Sequence, residues 1–243
     1  MKKSVLYLLW IALIPLSEAF GGDSVLPAWF WNTPRIDGVC VAVGYSPPYI
    51  DAPYAFDVAF NDAAWRLYGD RVCRIAGEKG VASTPEGLMD MGSTIKQVVD
   101  SSGFESFRER IFRIDSVATE HLRAVLIATA DIDVDKTLQN APPLELDCSG
   151  CNIAQSSAPI YYHYSSSWIE AERDARIELA VSTAADLSGC SLYRDDNMFS
   201  TSIIKTDIIL SSVQTIHRRI DSENGIVKLW VIGSGIDNTG YQP

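Results

Sequence analysis

The sequence is poor in the residues that usually do chemistry. It has three histidines, His121, His163 and His217, and no two stand at metal-ligand spacing. It has no Gly-x-Ser-x-Gly nucleophile turn and no phosphate-binding loop. Gly233-Ser234-Gly235 has no helix behind it to seat a dinucleotide. Basic residues are few, with 20 Lys and Arg against 31 Asp and Glu and a net charge of −11. That balance argues against nucleic acid and anionic lipid headgroups as partners. It leaves a basic partner or a metal cation open. No apolar run reaches the roughly 20 residues of a membrane-spanning helix. No catalytic residue, cofactor site or metal site is read from the sequence.

What is present begins with the amino terminus. Met1-Lys2-Lys3-Ser4 is basic, Val5 to Leu16 is a short apolar run, and Ser17-Glu18-Ala19 supplies small residues for cleavage. This three-part pattern predicts a signal peptide over residues 1–19 and an exported, periplasmic or outer-membrane-associated mature chain. The five cysteines are an odd number, so at least one stays free or pairs with another chain. Cys40 sits in an apolar alternating run and reads as a buried small hydrophobe.

The remainder reads as one pattern written twice. Gly38 to Tyr45 is β-branched and apolar, hence a strand. Ala55, Ala59, Ala63 and Leu67 recur every four residues. Asp57, Asp62 and Arg66 fall on the other side, so an amphipathic helix is expected from about Tyr54 to Ala76, stopped by Gly77. A short helix over Pro85 to Met91 follows. Glu105 to Ser116 and Leu122 to Asp131 read as a hairpin. In the second half Ile160 to Tyr164 reads as a strand. Trp168 to Leu187 reads as a helix capped by one of Ser165, Ser166 and Ser167. Ser202 to Asp221 and Ile226 to Gly233 read as strands joined through Asn224-Gly225, a strong hairpin signal.

An offset of 112 aligns the two helices: Ala59 meets Ala171, Ala63 meets Ala175 and Leu67 meets Leu179. Further along, Arg113-Ile114-Asp115-Ser116 recurs as Arg219-Ile220-Asp221-Ser222. The expected fold class is α+β. It has two tandem β-α-β-β units, at 26–140 and 159–243, each a helix on an antiparallel sheet. A linker, 141–158, carries the Cys-x-x-Cys.

Pro27-Ala28-Trp29-Phe30, Asn32-Thr33-Pro34, the strand ending Val43-Gly44-Tyr45-Ser46, and the Ala-x3-Ala-x3-Ala-x3-Leu helix resemble the Lpp-twenty family of bacterial envelope lipoproteins and related flagellar outer-membrane accessory proteins. The likeness is best over 26–78 and looser over 160–236. It implies a non-enzymatic envelope protein that associates with itself or with envelope structures. This chain departs from the family in having no cysteine just after the signal, so no lipid anchor is expected. It is also longer than a single-unit member.

Four features remain as candidate sites. Cys148-Ser149-Gly150-Cys151 lies in a loop between Ala141-Pro142-Pro143 and polar Asn152 to Ser157. That favours a structural disulfide over a redox pair or half a zinc site. Asp131-Ile132-Asp133-Val134-Asp135 begins like a calcium loop, but Lys136 and Pro142 stand where glycine and a bidentate glutamate are needed. A solvated strand end is expected there. The scattered histidines read as packing or surface residues. Trp29, Phe30 and Trp31 read either as a lid packed on the sheet or as an exposed aromatic contact for a partner or membrane surface. The function expected is non-catalytic: protein–protein contact or self-assembly in the outer membrane or a flagellar accessory structure. The alternatives are a periplasmic small-molecule binding module with its pocket between the units, and an enzyme using Cys148 or a histidine.

Overall fold

A computed structural model describes residues 26–49, 51–84, 87–134, 136–137, 152–183, 185–194 and 197–236. The predicted signal peptide, Asp135, Cys148 and Cys151 lie outside the described residues. The leading segment forms a single turn, α1 (Ala28–Trp31). It runs into β1 (Val41–Ser46), buried at every position. The long helix α2 (Ala52–Arg71) follows. Ala55, Ala59 and Ala63 form its inner stripe, fully buried. The stripe explains Gly44. A Cβ there would stand 2.0 Å from the Ala59 carbonyl oxygen and 2.3 Å from the Ala63 nitrogen, so only glycine lets helix and strand meet. Ser46 then ties the first turn down by donating its hydroxyl to the Ala55 carbonyl at 2.7 Å.

The next elements are β2 (Val72–Thr84), β3 (Gly87–Ser93), β4 (Lys96–Val98), α3 (Phe104–Arg108), β5 (Phe112–Ala118) and β6 (Arg123–Ala128). After them come β7 (Asn152–Pro159), the second long helix α4 (Tyr164–Thr183), β8 (Ala185–Arg194), β9 (Asn197–Asp221) and β10 (Ile226–Ile236). The chain is α+β, with helices packed on antiparallel sheets. One sheet has the order β1-β6-β5, and the other the order β3-β2-β9-β10-β7, with β4 on β2 and β8 on β9. Within them, β1-β6-β5 and β7-β10-β9 have the same order. In each the long helix follows the first strand and packs on the first two, α2 on β1 and β6 and α4 on β7 and β10.

The structure corrects several expectations. The first helix ends at Arg71, not Ala76, because the chain turns into β2 and pairs with β9 from Val72 to Ser83. Gly77 therefore lies inside a strand. Its φ of +145° and the 2.5 Å from its would-be Cβ to the Ile95 Cα mark a close approach, not a helix stop. Residues 87–93 are strand, not helix. Glu105 to Arg108 is helix, not strand. Phe104, Phe107 and Ile111 recur at helical spacing and join α2 in one apolar cluster.

The second long helix begins at Tyr164, so Ser165 to Ser167 lie in its first turn. Buried Ser167 accepts from the Tyr161 N–H at 2.9 Å. The strand before that helix is Asn152–Pro159, all but its last residue within the expected linker, and not Ile160–Tyr164. Because β2, β3 and β4 belong to the sheet of the second half, the halves share a sheet and no boundary at 140 separates them. The Asn-Gly turn is where it was read, between paired Asp221 and Ile226, with Gly225 at φ +65°. No described helix is long and apolar enough to cross a membrane.

Candidate functional site

Charged side chains from three elements, α2, α4 and β9, meet where the halves face each other, joined by Tyr45 from β1. From α4 comes Glu172, 1 % exposed. Its Oε1 accepts from the Tyr45 hydroxyl at 2.7 Å, the Thr215 hydroxyl at 3.1 Å and Arg218 Nη2 at 3.1 Å. Its Oε2 takes Arg176 Nη1 at 3.4 Å and Arg66 Nη1. Arg218, on β9, is buried too. Its Nε donates to the Tyr45 oxygen at 2.6 Å, and its Nη1 donates to the Phe30 carbonyl at 3.0 Å and Thr33 Oγ1 at 2.8 Å. Burial pulls the Arg218 guanidinium below its ordinary range, the Tyr45 hydrogen bond holds it up, and Arg176 repels it. Arg176 forks onto Asp70 at 2.8 and 2.7 Å. Arg66 forks onto Asp62 at 2.9 and 3.1 Å, and Asp62 also accepts the Tyr45 N–H at 2.8 Å. The Tyr45 ring is flanked by the Arg66 and Arg218 guanidinium carbons at 5.0 and 5.6 Å.

Three carboxylates thus face three guanidiniums, so the group is neutral. Taking charges out of water is costly, and a buried cluster survives only when each charge is paired and hydrogen-bonded. The cluster acts as a clamp: Asp62, Arg66 and Asp70 from α2 and Tyr45 from β1 close on Glu172, Arg176, Thr215 and Arg218 from the second half.

Two bulges in β9 aim this cluster. The β9–β10 register passes from Ser211↔Ser234 to Gln214↔Ile232, leaving Ser212 and Val213 opposite Gly233. It slips again between His217↔Trp230 and Thr215↔Val231, leaving Ile216 unpaired. Each extra residue flips the inward set of a period-two strand. Ile208 and Leu210 point inward first, Val213 and Thr215 after the first bulge, and Arg218 after the second. Without the bulge at Ile216, Thr215 and Arg218 could not share a face.

At the first bulge a cleft of about 390 Å³ opens between the halves. It is lined by Gly38 to Val41 from the approach to β1, by Leu67, Asp70 and Arg71 from the end of α2, and by Ser212 to Gln214. Ser212 has φ +55°, the one non-glycine residue with positive φ among those described. The cleft's size falls within the range of small-ligand sites, roughly 300–1,000 Å³.

Of the candidate residues singled out in the sequence, Cys40 lines this cleft and Phe30 meets the clamp through its carbonyl, while the others described lie outside both. Cys40 is exposed with a free thiol, not buried as its alternating run suggested. It precedes β1 and is held by its backbone, the N–H donating to Thr129 Oγ1 at 3.1 Å and the carbonyl accepting from the Thr129 N–H at 3.0 Å. Trp29 and Phe30 are 2 % and 0 % exposed, so these two rings are inside the molecule and not offered to a partner. Trp29 Nε1 donates to Asp115 at 2.7 Å, and Phe30 meets Trp168 edge-on at 5.5 Å. Trp31 is half-buried. Asp131 and Asp133 are exposed, and Asp133 pairs with Lys136 at 3.1 Å. No metal-ligating cluster of three or more residues occurs among the described residues. His121 stacks on Tyr164 at 5.2 Å, His163 meets Tyr162 at 4.8 Å, and His217 lies against Trp230 at 4.9 Å with Nδ1 2.8 Å from Asn32 Oδ1. Desolvation lowers the His217 pKa, with Arg218 adding to the shift.

The clamp was missed, although a signal exists. The 112 offset sets Glu172 opposite Phe60 and Arg176 opposite Ala64, both apolar places beside the alanine stripe. Charges at positions apolar in the matching helix mark buried charges in need of partners. No protein-family model matches this chain, and no curated protein or solved structure matches it either.

Proposed function

We propose that the chain is a non-catalytic exported protein of the cell envelope that works by contact with copies of itself. The observation that carries this reading is β8. It pairs with β9 over ten uninterrupted positions, Ala185↔Thr206 to Arg194↔Asn197. On its other side it pairs with no other described strand. Natural edge strands are guarded by proline, lysine or a bulge. The segment Ala-Asp-Leu-Ser-Gly-Cys-Ser-Leu-Tyr-Arg has none of these and confines its charges, Asp186 and Arg194, to its ends, whereas β3, the edge strand on the far side of β2, carries a bulge at Met91. A regular unguarded edge is a template for strand addition, and two such edges related by a two-fold axis form a closed dimer. The resemblance over residues 26–78 to envelope proteins that associate with themselves or with envelope structures supports the setting.

The test is sedimentation of the mature chain beside Ser188→Pro and Gly189→Pro. Successive N–H groups alternate sides along a strand, so one of the two prolines removes an outward donor and leaves β9 pairing intact. The expected result is a dimer or larger species for the parent chain and a folded monomer for that variant. A parent chain that stays monomeric at all concentrations overturns the reading.

A further inference from the structure

The cleft at the first bulge has no part in strand addition, and its chemistry is specific. The acidic and basic groups around it are Asp70, Arg71 and, behind Asp70, Arg176. Asp70 is 6 % exposed and held by the Arg176 fork, and the clamp as a whole is neutral. Arg71 is left over. It is exposed and has no ion pair or hydrogen bond among the described residues, and its guanidinium carbon lies 5.4 Å from the centroid of the Phe107 ring. Stacking on an aromatic face holds a guanidinium in place and leaves its edge donors free for a carboxylate. A lone cation in a concave site on an acidic protein concentrates small anions there. The walls beside it are apolar: Val39, Val41, Leu67 and Val213. The bulge that puts Val213 in the wall also forces Ser212 into the left-handed region, and such strain gathers at ligand sites.

We propose that this cleft binds a small amphipathic carboxylate, its charged end on the Arg71 guanidinium and its tail against Val39, Val41, Leu67 and Val213. Both halves of the chain build the site, so an occupant stabilises their junction.

The probe is hexanoate, titrated into the full mature chain by calorimetry and by amide chemical shifts, with 1-hexanol and hexylamine as controls. Hexanoate is expected to bind saturably, about tenfold tighter than hexanol, a difference of about 1.4 kcal/mol. The shifts should centre on residues 38–41 and 212–214. Arg71→Gln, at an exposed position, should fold normally by circular dichroism and bind hexanoate no better than hexanol. Arg71→Lys should keep part of the preference. Equal binding of hexanol, tighter binding of hexylamine, shifts centred elsewhere, an unchanged Arg71→Gln variant, or no saturable binding of hexanoate would each overturn the proposal.

Discussion

At the scale of single residues, Glu172 governs the junction. Five donors converge on its carboxylate, three of them from arginines. Glu172→Ala leaves the buried Arg218 guanidinium without a carboxylate partner and Arg176 with Asp70 alone. The expected loss is about 3–5 kcal/mol in urea unfolding, against less than 1 kcal/mol for a surface change such as Glu223→Ala. Such a residue is hard to read from one sequence. Glu-x-x-x-Arg at 172–176 looks like an exposed i,i+4 pair, the commonest place for that spacing. Only the comparison with Phe60 and Ala64 in the first helix betrays it. Gly44-Tyr45-Ser46 was legible as a pattern but not as three jobs: glycine for the helix approach, tyrosine for the clamp, serine for the helix start.

At the scale of elements, periodicity located both long helices, and their alanine stripes are buried as read. It failed where a strand is out of phase with its own spacing. β9 carries two bulges, and no residue type announces Ile216 as an extra residue. Deleting Ile216 should turn Arg218 to the opposite face. It should destabilise far more than Ile216→Ala, which removes only packing, about 2–5 kcal/mol; chemical denaturation of the two variants checks this. The β9–β10 turn has its own pH signature. Hydrogen bonds from Lys228 and Asn224 hold the Asp221 carboxyl at about 2, below its unfolded value of about 3.9. Its contribution is fully present above about pH 4 and is lost as pH falls toward about 2. Lys228→Met should flatten that acid limb, as followed by melting temperature between pH 5 and pH 2.

At the scale of the whole molecule, the two halves repeat a strand order and yet are not two bodies. β2 belongs by sequence to the first and by pairing to the second, and its capture by β9 is what no local pattern reveals. One cooperative unfolding transition is therefore expected, with the same midpoint by near- and far-ultraviolet circular dichroism. Residues 26–140 expressed alone should fail to give the dispersed amide spectrum of a folded domain, since β2, β3 and β4 would have no β9 beside them. The same pairing sets a schedule. Val72 meets Ser211, about 140 residues further along the chain, so the first half emerges with a strand it cannot place. That strand waits for β9 to be synthesised. Contacts so distant in sequence fold slowly, and until β9 arrives the waiting strand is open to any passing edge. A neighbouring copy's β9 would satisfy it equally well, which makes the concentration of newly made chain part of how this protein reaches its final form.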